Sequence, residues 1–407
     1  MSTTLPVPSA RAPLPSELAV EVVERKGAGH PDTLADGIAE RASIAYSRHC
    51  LDVAGAVLHH NLDKVAVLGG RALFASADGT WDRPLRVVFG GRASMSFAGR
   101  PLPVREILEQ AALEQLRDCL PGFSRMKVEF QHGTTDSSKF PHWFAPRSLD
   151  DLPERRAAFS NDTAYLVGSW PRTAAETVVL LAEAWFRRQP WAGSDIKALA
   201  VRRGDALSVT VCVPAVAGHL AGAGEFAGAV RDAARGLEGE VAARWPGAVT
   251  VVANTRDSGT GPLSGQYFTL SGSAVDYGED GMVGRGNART GVIAGAHLAG
   301  NEALFGKNPA YHVGKVGGWM ADTAARAVAG RLGAARVALL WRNGAPYDSP
   351  ASVEVTAPGG LAPGEAGDLV AATLARTDWM PDLLAGRYLP RVEPLTGLLD
   401  DLARAAA

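Results

Sequence analysis

The chain has 407 residues, enough for two or three domains, with 46% hydrophobic and 21% charged residues, an ordinary globular balance rather than a disordered one. A net charge of −2 carries no global footprint for nucleic acid, so any anion site has to be local. Cys50, Cys119 and Cys212 lack metal-type spacing and suit a reducing compartment; no apolar run is long enough to span a membrane, and the expectation is a soluble, cytoplasmic protein.

Residues 1–15 are proline-rich without an apolar centre and read as a loose arm, not a signal peptide. The stretch Glu24-Arg25-Lys26-Gly27-Ala28-Gly29-His30-Pro31-Asp32-Thr33 then packs charged and titratable side chains around two glycines. Pro31 suits a first helical position, and Leu34, Ile38, Ala42 and Ala45 recur at helical spacing after it. His30 and Asp32 therefore belong at a helix amino end, where free N–H groups favour phosphate and a carboxylate can bring a hard cation. Taken alone, the same residues also suit a plain helix cap.

Strands are expected over 64–68, 85–89 and 127–131, with a helix marked by Val104, Ile107, Leu108, Ala111 and Leu116 between the last two. Residues 132–161 read as a long loop, a length that is usually functional or mobile. Thr173 and Glu176 form a capping box that opens a helix reaching Arg187. Strands at 196–201 and 207–213 are joined by a Gly204-Asp205 turn; a helix over 226–245 and strands over 249–253 and 267–270 follow. After a Gly-rich tract over 271–318 come a helix at 320–332, a strand at 337–341 and two helices near the end. Interleaved elements with strand pairs on tight turns predict an α+β fold with antiparallel pairing, not a doubly wound parallel sheet.

Three more polar clusters stand out. Ser160-Asn161-Asp162-Thr163 is one. Asp195 and Lys197 open a strand two residues apart, which places both on one face, as a ligand site or as a surface ion pair. The third is 278–287 with 306–315, where glycines can form a backbone nest for an anion; Arg285, Lys307 and Lys315 add charge, and Glu279 and Asp280 are candidate Mg²⁺ ligands. Gly300 to Asn308 is not a P-loop: five residues separate its glycines, and Asn308 replaces the Ser or Thr that would meet Mg²⁺. His59-His60 lacks a third ligand at zinc spacing, so satisfied or exposed histidines are expected there.

Together these blocks resemble the archaeal-type methionine adenosyltransferase (S-adenosylmethionine synthetase) family. The resemblance runs from about Glu21 to about Pro350. It rests on 24–33, Asp36-Gly37-Ile38-Ala39-Glu40, His59-His60-Asn61 with Asp63-Lys64, Asn161-Asp162-Thr163, Asp195-Ile196-Lys197, Asp280-Gly281 with Val283-Gly284-Arg285-Gly286-Asn287, and Gly306-Lys307-Asn308-Pro309 with His312-Val313-Gly314-Lys315. It implies three similar α+β units around a pseudo-threefold axis, with mixed or antiparallel sheets. The units are approximated as 16–146, 147–272 and 273–407 and are expected to interlace. It also implies a homodimer with active sites at the interface, Mg²⁺, K⁺, and the substrates ATP and L-methionine, without nucleic acid or membrane.

By the same resemblance His30, Lys197, Arg285 and Lys307 are the catalytic set. Glu24, Asp136, Asp162, Asp195, Asn287, His312 and Lys315 are binding residues, and Asp32, Glu279 and Asp280 face the metal. Leu62, Glu279, the loop Gly133-Thr134-Thr135-Asp136-Ser137-Ser138 and Ser169-Trp170 depart from the family pattern. The last three departures lie where the thioether amino acid or adenosine would be read. They keep open adenosyl transfer to a methionine analogue; a non-catalytic ATP-binding regulatory subunit is a further alternative, against which the intact His30, Asp32, Lys197, Arg285 and Lys307 speak.

Overall fold

The motif at 24–33 straddles the end of a strand and the start of a helix in the computed structural model, which describes residues 13–74, 79–140, 142–257, 259–260, 265–295, 297, 299–358 and 364–406. Most of the expected arm therefore lies outside the described residues. The helices are α1 (Pro31–Ala54), α2 (Val104–Cys119), α3 (Ala174–Phe186), α4 (Ala223–Ala242), α5 (Val313–Leu332), α6 (Glu365–Leu374), α7 (Trp379–Leu384) and α8 (Leu395–Ala406). Pro31 starts α1, and Gly55 ends it in the left-handed region at φ 69°.

Three main sheets organise the chain. A five-stranded sheet runs Val249–Ala253, Ala206–Cys212, Lys197–Arg203, Val20–Lys26, Ile293–Ala294, with only the first pair parallel. Its inward side chains, among them Val23, Ala198, Ala200 and Val209, bury against α3, α4 and α8 through Val178, Leu181, Phe226 and Leu402. A four-stranded sheet runs Val128–His132, Leu85–Phe89, Val65–Leu68, Gly281–Met282, again with only the first pair parallel. It packs on α1 and α2 through Leu34, Ile38, Val67, Val87, Leu108 and Leu116. A three-stranded antiparallel sheet of Ala164–Trp170, Ala335–Trp341 and Ser352–Thr356 packs on α5 and α6. The fold is α+β with mixed and antiparallel sheets.

The sheets exchange strands in a cycle. Val20–Lys26 pairs with Lys197–Arg203, Ala164–Trp170 with Ala335–Trp341, and Gly281–Met282 with Val65–Leu68. Each of the stretches 16–146, 147–272 and 273–407 thus lends a strand to another's sheet. Among the described residues no helix is long and apolar enough to cross a membrane.

Several elements differ from expectation. Val20–Lys26, Ala164–Trp170 and Ser352–Thr356 are strands that the periodicity does not announce. Helix α5 starts seven residues before the predicted 320, because its glycines serve contact rather than a loop: a Cβ at Gly317 would lie 2.8 Å from both Leu166 and Trp341. The strand expected at 267–270 shrinks to Phe268–Thr269.

Candidate active site

The first half of the site surrounds the amino end of α1. Strand Val20–Lys26 points Glu24 and Lys26 to the face that α3 leaves open, and Lys197 stands directly across from Lys26. Lys26 Nζ donates to Asp32 Oδ2 at 2.8 Å and to the Arg285 carbonyl at 2.6 Å. Lys197 Nζ lies 3.5 Å from Glu24 Oε1, with 46% of the lysine side chain exposed. His30 is the N-cap of α1, its Nδ1 accepting from the Asp32 N–H at 3.1 Å. Burial lowers this imidazole to about 4, Asp32 opposes the fall, and Lys26 and Lys197 add to it. Burial also opposes ionisation of Asp32, but the hydrogen bonds from Lys26 and the Met282 N–H outweigh it and hold the carboxyl below its usual range.

The Gly-rich tract is tied to this helix end. Met282 N–H donates to Asp32 Oδ1 at 3.0 Å, and Gly284 N–H to Asp36 Oδ1 at 2.8 Å. A Cβ at Gly281 would overlap the Pro31 carbonyl, and one at Gly286 would overlap Asp36 Oδ2. These glycines therefore let the tract lie against α1, and two of the N–H groups expected to form an anion nest are spent on carboxylates. Burial pushes Asp36 well above the carboxylate range, its Oδ2 having no partner. The result is positional: exposed Arg285 is held beside Lys26. Asn287 serves the same end, exchanging both amide hydrogen bonds with the Lys26 backbone at 3.0 and 2.7 Å.

Asp195 corrects the shared-face expectation. It precedes the strand, which begins at Lys197, so the alternation rule does not reach it. It turns inward, accepting from the Ala274 N–H at 2.9 Å, and burial raises it to about 6.

The second half lies farther along α1. Glu40 is eight residues beyond Asp32, a rise of about 12 Å. Its Oε2 accepts from Lys315 Nζ at 2.7 Å and the Gly306 N–H at 3.2 Å. His312 caps α5 as His30 caps α1, with Nδ1 accepting from the Gly314 N–H at 3.2 Å. Lys307 pairs with Glu302; burial lowers it to about 8, with Asp63 opposing and Lys64 reinforcing. Asp162 lies in the field of Lys307, and Asn161 Oδ1 accepts from the first N–H of α5. The loop carrying Asp136 reaches this half through a bridge from Thr135 to Arg92.

Within one chain His30, Lys197 and Arg285 thus come together, while Lys307, His312, Lys315, Asp136 and Asp162 gather apart from them. A cavity of about 310 Å³ behind the tract is lined by Ser169, Glu176, Asn287 and His297, but not by Lys197, Arg285 or Lys307. Trp170 lies under the Arg326 guanidinium, 3.6 Å from its ring centroid. His59 and His60 are both buried and partnered, by Glu154 and Ser43.

Asp32, Glu279 and Asp280 do not form a metal cage: among the described residues no group of three His, Cys, Asp or Glu side chains could hold an ion. Asp280 caps the Gly69 N–H at 2.9 Å. What remains is Asp32 beside several cations, which fits Mg²⁺ bound mainly by substrate phosphates and water with one protein carboxylate. Sequence reasoning left Lys26 out of the site set, although its place two residues after Glu24 on a strand is the signal that groups them.

The family model described as S-adenosylmethionine synthetase (AdoMet synthetase) matches residues 4–366. The S-adenosylmethionine synthase of Haloarcula marismortui is 33% identical over 373 residues, 87% of this chain and 90% of its own. That of Methanococcoides burtonii is 31% identical over 343 residues, covering 81% and 83%. An uncharacterized Streptococcus pyogenes protein is 35% identical over 326 residues, covering 77% and 79%. The fold is also similar to the structure of an unusual S-adenosylmethionine synthetase from Campylobacter jejuni, with a TM-score of 0.58 at 15% identity over 95% of this chain and 94% of that one. With its archaeal relatives and the arrangement at His30-Pro31-Asp32, the chain belongs to the archaeal-type S-adenosylmethionine synthetase family.

Proposed function

We propose that the protein forms S-adenosylmethionine from ATP, L-methionine and water, releasing phosphate and diphosphate. The observation that carries this reading is the cluster of Lys26, His30, Asp32, Lys197 and Arg285 at one helix amino end. A thioether sulfur has no proton to lose, so attack on ribose C5′ needs no general base. It needs alignment, which is worth several kcal/mol, and positive groups on the departing triphosphate, each worth about 3 kcal/mol. Lys197 and Arg285 are accessible for that task. His30 is neutral near pH 7 and accepts a backbone N–H at Nδ1, so its proton sits on Nε2, ready to donate to the departing O5′. Asp32 is the residue that would hold Mg²⁺, which would neutralise phosphate charge; Asp280 is engaged by the Gly69 N–H. K⁺ belongs to the proposal as an accessory ion, to be tested by exchange with Na⁺.

The second half completes the proposal. Separated by about 12 Å of α1 within one chain, the Lys307 cluster and the His30 cluster meet across a twofold axis, so that each site takes one half from each protomer. The exposed Val20, Val22 and Val252 on the open sheet face support a homodimer. With ATP as a substrate, the compartment is cytoplasmic.

One incubation tests the reaction: ATP, Mg²⁺ and a panel of thioether amino acids, read by mass spectrometry for the sulfonium and by phosphorus NMR for the released phosphates. Methionine yields the sulfonium with phosphate and diphosphate; ATP binding without either product refutes the reading. Sedimentation gives a dimer, and a fully active monomer removes the interface site.

A further inference from the structure

A second cavity, of about 370 Å³, gathers five guanidiniums in its wall: Arg25, Arg172, Arg289, Arg387 and Arg391. They come from four parts of the chain, namely strand Val20–Lys26, the residues just before α3, the Gly-rich tract, and the segment 385–393 between α7 and α8. That last segment lies beyond residue 366, where the match to the family model ends. Arg25 alternates with Glu24 and Lys26 on the strand, so the cavity lies on the opposite side from the candidate active site. His30, Lys197 and Arg285 take no part in its wall.

The charges around this cavity do not balance. Glu183 holds Arg25 at 2.7 Å, and Asp322 holds Arg289 at 3.0 Å. Glu393 grips Arg172 with both oxygens, at 2.6 and 2.7 Å, and Asp382 pairs with Arg387. Each of these carboxylates is thus taken by one guanidinium. Asp36 also lines the cavity, but burial pushes it well above the carboxylate range, so it adds no negative charge. Arg391 is left over: it is exposed and has no ion pair or side-chain hydrogen bond among the described residues. Arg326 on α5 is left over in the same way, its guanidinium resting on the Trp170 ring. Both stand around one turn. A Cβ at Gly386 would lie 3.1 Å from Arg391 Nη2, and the next residue, Arg387, exerts the strongest charge effect on Arg326. Partial burial lowers Arg326, the charges of Arg387 and Arg172 add to the fall, and Asp322 opposes it.

Arginine cannot shed its charge in a protein, so two surplus positive charges beside one cavity call for an anion. A guanidinium grips carboxylate and phosphate alike, through parallel N–H bonds. The charge count separates them. A carboxylate offsets one of the two, whereas a phosphate group carries about 1.5–2 negative charges near pH 7. Further donors stand ready: among the described residues Arg172 Nε and Arg387 Nε make no hydrogen bond. The cavity also has the size of a small-molecule site, with room for a substituent on the phosphate. We propose that it is a second anion site, apart from the cluster at His30, taking a phosphate group as free phosphate, as diphosphate or on a small phosphomonoester. Arg391 and Arg326 are its unpaired ligands, so the bound anion ties the segment 385–393 to α5.

The test is calorimetric titration of phosphate, diphosphate, glycerol 3-phosphate and acetate into the full-length protein at one ionic strength. Lys197→Ala combined with Arg285→Ala strips the His30 cluster of its accessible cations. In that background at least one of the three phosphate compounds still binds, one per chain and more tightly than acetate, and the tightest of them names the source. Adding Arg391→Met and Arg326→Met weakens that binding by at least about tenfold, the range of one lost charged hydrogen bond. The urea midpoint does not move with these two changes, since both side chains are exposed. Arg391→Lys with Arg326→Lys keeps the charge but not the fork and recovers only part of the loss. Binding that disappears with Lys197→Ala and Arg285→Ala overturns the second site. So does an affinity unmoved by Arg391→Met and Arg326→Met, or a preference for acetate. The reading of the His30 cluster fails separately, if Lys197→Ala with Arg285→Ala binds diphosphate with the stoichiometry and affinity of wild type.

Discussion

Helices α1 and α5 begin alike, each with a histidine at the N-cap whose Nδ1 accepts the N–H two residues on, at 3.1 and 3.2 Å. Burial lowers both imidazoles, His30 to about 4 and His312 well below the usual value, so both are neutral near pH 7. The cations beside them differ. Lys197, near His30, is half exposed and loosely paired with Glu24 at 3.5 Å. Lys315, near His312, meets Glu40 at 2.7 Å with 1% of either side chain exposed. An exposed pair contributes under about 1 kcal/mol, so a polyphosphate can draw Lys197 away cheaply. Opening the sealed pair would strand a buried charge. The same residue types thus stand open to solvent at one helix end and sealed against it at the other.

The largest effect should come from breaking the sealed end. Glu40→Ala leaves the Lys315 ammonium buried and unpaired and removes the acceptor of the Gly306 N–H. We expect a loss of about 3–5 kcal/mol, read as a lower urea midpoint, much of it recovered when Glu40→Leu is combined with Lys315→Met. A wild-type midpoint for Glu40→Ala would show the pair to be no more than a surface contact.

At the open end the change should appear in turnover instead. Lys197→Ala is expected to lower kcat by about 10²–10³-fold, the value of one preorganised donor. Its unfolding free energy should stay within about 0.5 kcal/mol of wild type, as befits an exposed site. Equal turnover at saturating ATP and Mg²⁺ would remove Lys197 from the mechanism.

The contrast between the two ends also explains what the sequence can and cannot disclose. Residue types at 24–33, 195–197 and 306–315 named the charged groups, and the capping box at Thr173 fixed the start of α3. Strand Val20–Lys26 escaped notice because Glu21 and Arg25 point inward and break the apolar alternation. Thr173 and Arg202 satisfy the first, Glu183 the second, all more than 150 residues away. Glycines misled twice, suggesting a loop where α5 begins and a nest where the tract packs on α1, since close approach and flexibility use the same residue. The pairing of Asn61 with Arg92 and its bridge to Lys307 join three separate segments and leave no local pattern.

Asp195 allows the open end to be probed by pH. Its folded value of about 6 lies above the unfolded value of 3.8, so the folded protein holds more protons between the two. Its contribution to stability is therefore complete below about 4 and is lost as pH rises through about 6. Relative to Asp195→Asn, wild type should lose about 2–3 kcal/mol across that window. Parallel stability curves for the two proteins would mean that Asp195 is not held in a desolvated place.

The smallest effects should come from the caps themselves, and they decide whether the two helix ends are built alike. His30→Ala and His312→Ala each remove one side-chain acceptor and should each cost about 1 kcal/mol, while His30→Asn and His312→Asn keep an acceptor and should recover most of it. Titration separates the wild type from His30→Asn. A folded value of about 4 below the model-peptide 6.5 means that the unfolded chain binds the extra proton, so wild type loses stability relative to His30→Asn as pH falls from about 6.5 toward 4. Equal Ala costs at both ends would leave their cation surroundings as the difference that matters. A cost confined to one end would mean that the shared histidine geometry is incidental, and that the burial of Lys315 and the exposure of Lys197 have to be explained by the sheets rather than by the helix starts.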